Sequence, residues 1–95
     1  MKIEEFLNYL SDKCDVLGIF IEERKRKKVC VIYYPKSQWL WEGNYENLDN
    51  LIEILENILK FKGLKIDKFY ISINEKIYQA SLSSFIRVLS FNLKN

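Results

Sequence analysis

Several residue types on which enzymes depend are absent or scarce in this chain. Among its 95 residues there is no histidine, and there are three glycines, one proline and two cysteines. Without histidine the chain lacks the side chain that most often acts as a general base or a metal ligand. The three scattered glycines form no phosphate-binding loop, and Cys14 and Cys30 stand too far apart for the paired spacing of a zinc site. We therefore expect no metal, no cofactor and no catalytic group.

The chain also has no long apolar run and no cysteine framework. No stretch approaches the ~18 apolar residues of a membrane-spanning helix. Glu4 and Glu5 interrupt the first apolar segment, which is unlike a signal peptide. Two cysteines are too few to stabilise a secreted domain. These features predict a cytoplasmic protein with reduced thiols and no membrane contact, with a Cys14–Cys30 disulfide as the minor alternative.

The overall composition is that of one globular domain. The apolar fraction is 48% and the charged fraction is 29%, which is ordinary for a folded chain and too apolar for a disordered one. A length of 95 residues leaves room for a single core, so residues 1–95 are predicted to form one domain. The net charge of +2 is too small to predict polyanion binding by itself.

The first half of the chain reads as a helix, two strands and a loop. Apolar residues recur at helical spacing and predict a helix over residues 2–13. The segments DVLGIFIEE and KVCVIYYP carry apolar residues on alternate positions and predict two strands joined by a charged hairpin turn. Pro35 ends the second strand. Residues 36–46 are predicted to be a loop, with Gly43 and Asn44 as turn residues.

The second half repeats this order and adds a final helix. Asn47 is predicted to cap a helix that ends at Gly63, because both residue types favour those positions. Residues 66–81 read as a second hairpin that turns at residues 74–76, and a last helix follows Ser81. The order αββαββα predicts an α+β domain with a four-stranded, mostly antiparallel sheet and helices packed on it. The order of the strands is left open.

A run of five basic residues occupies the first hairpin turn. Side chains at such a tip could bind phosphates, although a charged turn is more commonly only solvated. If the C-terminus of the second helix returned to the same end of the domain, two more lysines would join the patch. The nucleic-acid-binding alternative therefore rests on Arg24, Lys25, Arg26, Lys27, Lys28, Lys60 and Lys62.

The predicted loop after Pro35 is rich in large apolar side chains. Exposed tryptophans often anchor protein partners, so the partner-binding residues are predicted to be Trp39, Leu40, Trp41 and Tyr45. The alternative is that a tryptophan fills the edge of the core. If the stretch is extended instead, it adds an edge strand and makes a homodimer feasible.

A carboxylate-held Mg²⁺ site is the only enzymatic alternative. It would use Asp15, Glu22 or Glu23 beside catalytic lysines, as in nucleases. Such nucleases place an acid on the neighbouring strand, and residues 29–34 contain none. The sequence therefore favours a small non-catalytic intracellular binding protein, of the adaptor or inhibitor type, whose partner is a protein; nucleic-acid binding is the first alternative and a nuclease-like enzyme the second.

Overall fold

The computed structural model describes residues 1–93, so Lys94 and Asn95 of the predicted domain lie outside the described residues. The elements in chain order are α1 (Ile3–Leu10), β1 (Val16–Arg24), β2 (Lys27–Tyr34), a 3₁₀ turn (Pro35–Ser37), β3 (Trp39–Asn44), α2 (Leu48–Lys62), β4 (Lys68–Ile73), β5 (Lys76–Ala80) and α3 (Phe85–Asn92). The predicted α+β class is confirmed.

The five strands form one mixed sheet in the order β3-β2-β1-β4-β5. β1 pairs with β4 in parallel, and the other three pairs are antiparallel. The prediction of four strands is therefore wrong by one strand, and one central pair is parallel. This pair is parallel because α2 carries the chain back across the sheet before β4 begins, as a crossover between parallel strands requires.

The additional strand is β3, which lies where a loop was predicted. The 3₁₀ turn and Gln38, at φ 56°, reverse the chain tightly enough for the following residues to pair with β2. Trp39 and Trp41 then point to one face and Leu40 and Glu42 to the other, the alternation of a strand. Gly43 and Asn44 are strand residues here, not turn residues.

Helices cover both faces of the sheet, but unequally. On one face, α2 and α3 pack over a large core that includes Leu17, Ile19, Ile32, Leu55 and Phe69. We call this the helix-pair face. On the other face, α1 covers a smaller cluster built on Phe6, Leu10, Val16, Phe20, Val31 and Tyr70. None of the helices within residues 1–93 combines the length and the apolar character needed to cross a bilayer.

The ends of α2 follow the sequence prediction. The side-chain oxygen of Asn47 accepts a hydrogen bond from the backbone N–H of Asn50 at 2.9 Å, which satisfies a donor at the helix start. Gly63 takes a left-handed conformation with φ 60° and ends the helix. Both predictions are confirmed, because helix caps depend on local chemistry.

Other boundaries shift by a few residues. α1 ends at Leu10, earlier than predicted. The β4–β5 hairpin is confirmed, and its turn consists of Asn74 and Glu75, both at positive φ (50° and 69°), as a two-residue turn of type I′ requires. α3 begins after Ser84 and not directly after Ser81.

Candidate functional site

β3 forms one edge of the sheet, and its hydrogen-bonding pattern defines which groups are open. Tyr45, just beyond the strand, donates its backbone N–H to the carbonyl of Lys28 at 3.0 Å. In an antiparallel ladder the bonded pairs recur every second residue. The odd-numbered residues of β3 therefore bond to β2. The backbone N–H and C=O groups of Leu40, Glu42 and Asn44 point away from the sheet.

The side chains of β3 place apolar surface on both sides of this edge. Trp39 and Trp41 lie on the helix-pair face, partly buried against the main core. The ammonium of Lys62 lies 4.9 Å from the centre of the Trp39 ring. Leu40 points to the opposite face and is 43% exposed. The two indoles are thus neither free in a loop nor fully enclosed.

Gly43 allows the Trp41 ring to lie flat along the strand. A Cβ atom built at Gly43 would stand 2.6 Å from two carbons of that ring. The ring therefore occupies the space that any other residue at position 43 would fill. The position of one indole at the edge depends on this glycine.

Tyr45 was predicted with the tryptophans as a partner-binding side chain, but it lies in the core. It is 5% exposed, and its hydroxyl donates to Oε2 of Glu23 at 3.0 Å. Burial, and then the bond to Glu23, raise the pKa of Tyr45 above its ordinary range. Tyr45 is bonded to the end of β1 and is enclosed by the main core, away from the surface.

The basic run lies at the tip of the β1–β2 hairpin and is exposed. Arg24 pairs with Glu22 at 2.9 Å, and Lys28 donates to the backbone carbonyl of Glu46 at 3.2 Å. The remaining members of the run, Lys25, Arg26 and Lys27, make no ion pair or side-chain hydrogen bond within residues 1–93. Three cations at the tip are therefore available to an anion.

Lys60 and Lys62 do not join this tip, because the C-terminus of α2 does not return to the end of the domain where the tip lies. α2 begins beside the tip, where Lys28 reaches Glu46, and it ends beside Trp39 at the other end of β3. Its fifteen residues separate the two groups of lysines by roughly 22 Å. The physical reason is β3: one more strand reverses the direction in which the helix runs.

The carboxylates considered for Mg²⁺ are dispersed. Asp15, before β1, pairs with Lys36 at 3.0 Å, and this hydrogen bond raises the pKa of Lys36. Glu22 and Glu23 stand at the far end of β1 and point to opposite faces. Within the described part of the chain, no three His, Cys, Asp or Glu side chains converge to hold a metal ion.

Both cysteines are thiols, so the minor disulfide alternative is wrong. Cys14 is exposed and Cys30 is buried in β2. Burial raises the pKa of the Cys30 thiol from 9.0 to about 12. Cys30 therefore behaves as a small apolar side chain at neutral pH.

Some exposed apolar side chains were not singled out by the sequence. Phe61, Leu82 and Phe91 are 77%, 62% and 80% exposed. Leu82 borders a cleft of about 490 Å³ between α2 and α3, which Leu59 and Ile86 also line. For Phe61 and Phe91 the available signal was their position on the polar side of the helical pattern. Leu82 lies in the turn before α3 and carried no such signal. They are spread over the helix layer and form no second edge.

Comparisons of the chain with protein-family models, with curated proteins and with solved structures find no match in any of the three. The candidate site is therefore defined by its own geometry: an open strand edge with a partly exposed apolar side chain on each face.

Proposed function

We propose that this chain is a small non-catalytic binding protein, of the adaptor or inhibitor type, that binds a protein partner along the outer edge of β3. The observation that carries the proposal is the direction of the backbone groups at Leu40 and Glu42, which face away from the sheet. A partner strand added at this edge would satisfy those groups, as in other cases of strand addition.

The lack of protection along β3 supports this proposal. Exposed edge strands are normally blocked by lysine, proline, a bulge or extreme shortness. β3 has six residues, contains no lysine or proline, and carries a single charge at Glu42. The opposite edge, β5, is shorter and begins with Lys76. Of the two edges, β3 is the better suited to receive a strand.

The side chains flanking this edge also support protein binding. A strand paired with β3 would place its own side chains beside Trp39 and Trp41 on one face and beside Leu40 on the other. Tryptophan is enriched among the residues that carry most of the binding energy at protein interfaces. The edge therefore offers both main-chain bonds and apolar contacts, which a purely solvated edge would not.

Nucleic-acid binding at the hairpin tip is the second candidate. It is supported by the three exposed cations at Lys25, Arg26 and Lys27, each of which could neutralise a phosphate and release counterions. The support for nucleic-acid binding is weaker than the sequence alone indicated, because Lys60 and Lys62 lie at the other end of α2. A nuclease-like activity has no comparable support from the carboxylates.

A pair of leucine substitutions tests the proposed function. Leu40→Glu adds a charge at the edge, and Leu82→Glu adds the same charge at another exposed leucine, ahead of α3, which packs beside β5. We expect Leu40→Glu to reduce capture of a protein partner from a lysate of the source cells by at least about tenfold, because a charged side chain at an edge opposes strand pairing. Leu82→Glu should capture as much as the unmodified chain.

The lysate is treated with nuclease in a parallel arm. Capture that survives nuclease and is lost only in Leu40→Glu supports the β3 edge. If capture disappears with nuclease, and also when Lys25, Arg26 and Lys27 are replaced by glutamate, the hairpin tip is the functional surface. Equal capture by both leucine variants would contradict the proposal.

A further inference from the structure

We propose that a second copy of the chain occupies the β3 edge, by antiparallel pairing of β3 with β3 across a twofold axis. This inference rests on the proposed function, because it takes the outer edge of β3 as the contact surface. It identifies the partner as the β3 strand of a second copy of the chain. The pairing would join two five-stranded sheets into one continuous sheet, with the helix pairs of both copies on the same side.

The backbone pattern restricts how two β3 strands can pair. In a hydrogen-bonded antiparallel pair, both residues point their N–H and C=O groups at each other. Only the even-numbered residues of β3 point outward, so even residues must face even residues. With a twofold axis perpendicular to the sheet, the pairing is then centred on a single residue, and the centres that pair at least three residues of β3 are Leu40, Trp41, Glu42 and Gly43.

Charge and length select one of these registers. Centring on Glu42 sets Glu42 against Glu42 of the second copy, and like charges directly opposite are destabilising. Centring on Leu40 or on Gly43 pairs only three residues, because Gln38 at φ 56° has left the extended conformation and β3 ends at Asn44. Centring on Trp41 pairs residues 39–43 throughout and sets Leu40 against Glu42 of the second copy.

The side chains fit the register centred on Trp41. The two Trp41 residues would meet at a non-hydrogen-bonded position, where opposite side chains are closest and aromatic pairs are favourable. Trp39 would face Gly43 of the second copy, where the Trp41 ring of that copy fills the space above the glycine, so Trp39 would meet that ring. Leu40 could pack against the methylene groups of Glu42 while the carboxylate stays in solvent. No like charges are opposed among residues 39–43.

A proline at position 42 tests the pairing without disturbing the ladder inside the chain. The N–H of Glu42 points outward and makes no bond to β2, so Glu42→Pro removes a donor that only the second copy would use. We expect sedimentation velocity to find a dimer for the unmodified chain, and Glu42→Pro to raise the dimer dissociation constant at least about 100-fold. Glu42→Gln, the matched control, should remain dimeric. Circular dichroism checks that both variants keep the fold.

Disulfide trapping tests the register. With Cys14 replaced by serine, Leu40→Cys chains are mixed with Glu42→Cys chains under mild oxidation. Residues in a hydrogen-bonded pair have Cα atoms about 5.5 Å apart, within reach of a disulfide. We expect a cross-linked dimer in the mixture and none from either variant alone.

The outcomes separate this inference from the proposed function. A chain that stays monomeric up to about millimolar concentration, or a dimer that persists in Glu42→Pro, overturns the self-pairing. If the chain is monomeric and partner capture still depends on Leu40, only the self-pairing fails. If capture is also indifferent to Leu40→Glu, the proposed function fails with it.

Discussion

The position of Trp41 illustrates how much of the candidate site depends on single residues. Its ring lies over Gly43, where a Cβ would come within 2.6 Å of it. Tyr45, two residues further on, is buried and bonded to Glu23, so the chain passes from an edge to the core within a few residues. The composition of the segment showed that it was aromatic, but not which ring would be buried.

Cys30 gives a test of the core through pH. Its pKa is about 12 in the folded chain and 9.0 in its ordinary state. The thiol ionises at a lower pH in the unfolded chain than in the folded chain. The stabilisation that follows from the raised pKa is therefore fully present below pH 9 and is lost as the pH rises toward 12. Between pH 8 and pH 10 we expect the unmodified chain to lose about 1 kcal/mol of unfolding free energy more than Cys30→Ala.

Urea unfolding at pH 8, 9 and 10 measures this difference. The range stops at pH 10 because Tyr45 also has a raised pKa, and its own contribution is lost at higher pH. Cys14→Ser serves as the control, since Cys14 is exposed. If Cys30→Ala and Cys14→Ser show the same pH dependence, the thiol of Cys30 does not ionise on unfolding as described.

Among the helices and strands, local signals predicted most elements and left one open. α2 was predicted well because Asn47, Gly63 and the apolar spacing between them agree. β3 was predicted as a loop, with an edge strand as the alternative, and the structure confirms the alternative. The loop was favoured because Gly43 and Asn44 are typical turn residues, while the alternation of Trp39, Leu40 and Trp41 fits either a strand or an irregular loop. The tight reversal at Gln38 that decides between them needs a positive φ, which the residue type alone does not reveal.

The contact between α1 and β1 depends on a residue without a side chain. A Cβ atom at Gly18 would collide with Cδ1 of Leu10 and would lie 3.1 Å from the Phe6 ring. Phe6 and Leu10 are the two buried residues of α1. The helix therefore sits directly on the backbone of β1.

We expect Gly18→Ala to destabilise the chain by about 1–3 kcal/mol, because the buried Leu10 side chain, or α1 with it, must shift to admit the new methyl group. Urea unfolding of Gly18→Ala, Leu10→Ala and the double variant measures the coupling. Leu10→Ala removes the atom that the new methyl group meets, so the double variant should be more stable than the sum of the two single effects implies. Strict additivity would show that α1 does not lie where we place it.

For the chain as a whole, strand order could not be read from the sequence. The parallel pairing of β1 with β4 follows from the path of α2 across the sheet, and no residue in either strand encodes it. The direction of α2 was left open for the same reason, so the sequence could not decide whether Lys60 and Lys62 lie near the hairpin tip. The composition of each surface was predictable, but which surfaces share an end of the domain was not.

Site-specific photocrosslinking tests most directly whether the β3 edge contacts a protein. A benzophenone amino acid is placed at position 40, at the hairpin tip at position 25, and at position 82 ahead of α3, in separate copies of the chain expressed in the source cells. We predict protein adducts from position 40, with the chain itself counted as a partner, and at most background from positions 25 and 82. Adducts from position 25 or 82 with none from position 40 would contradict the account.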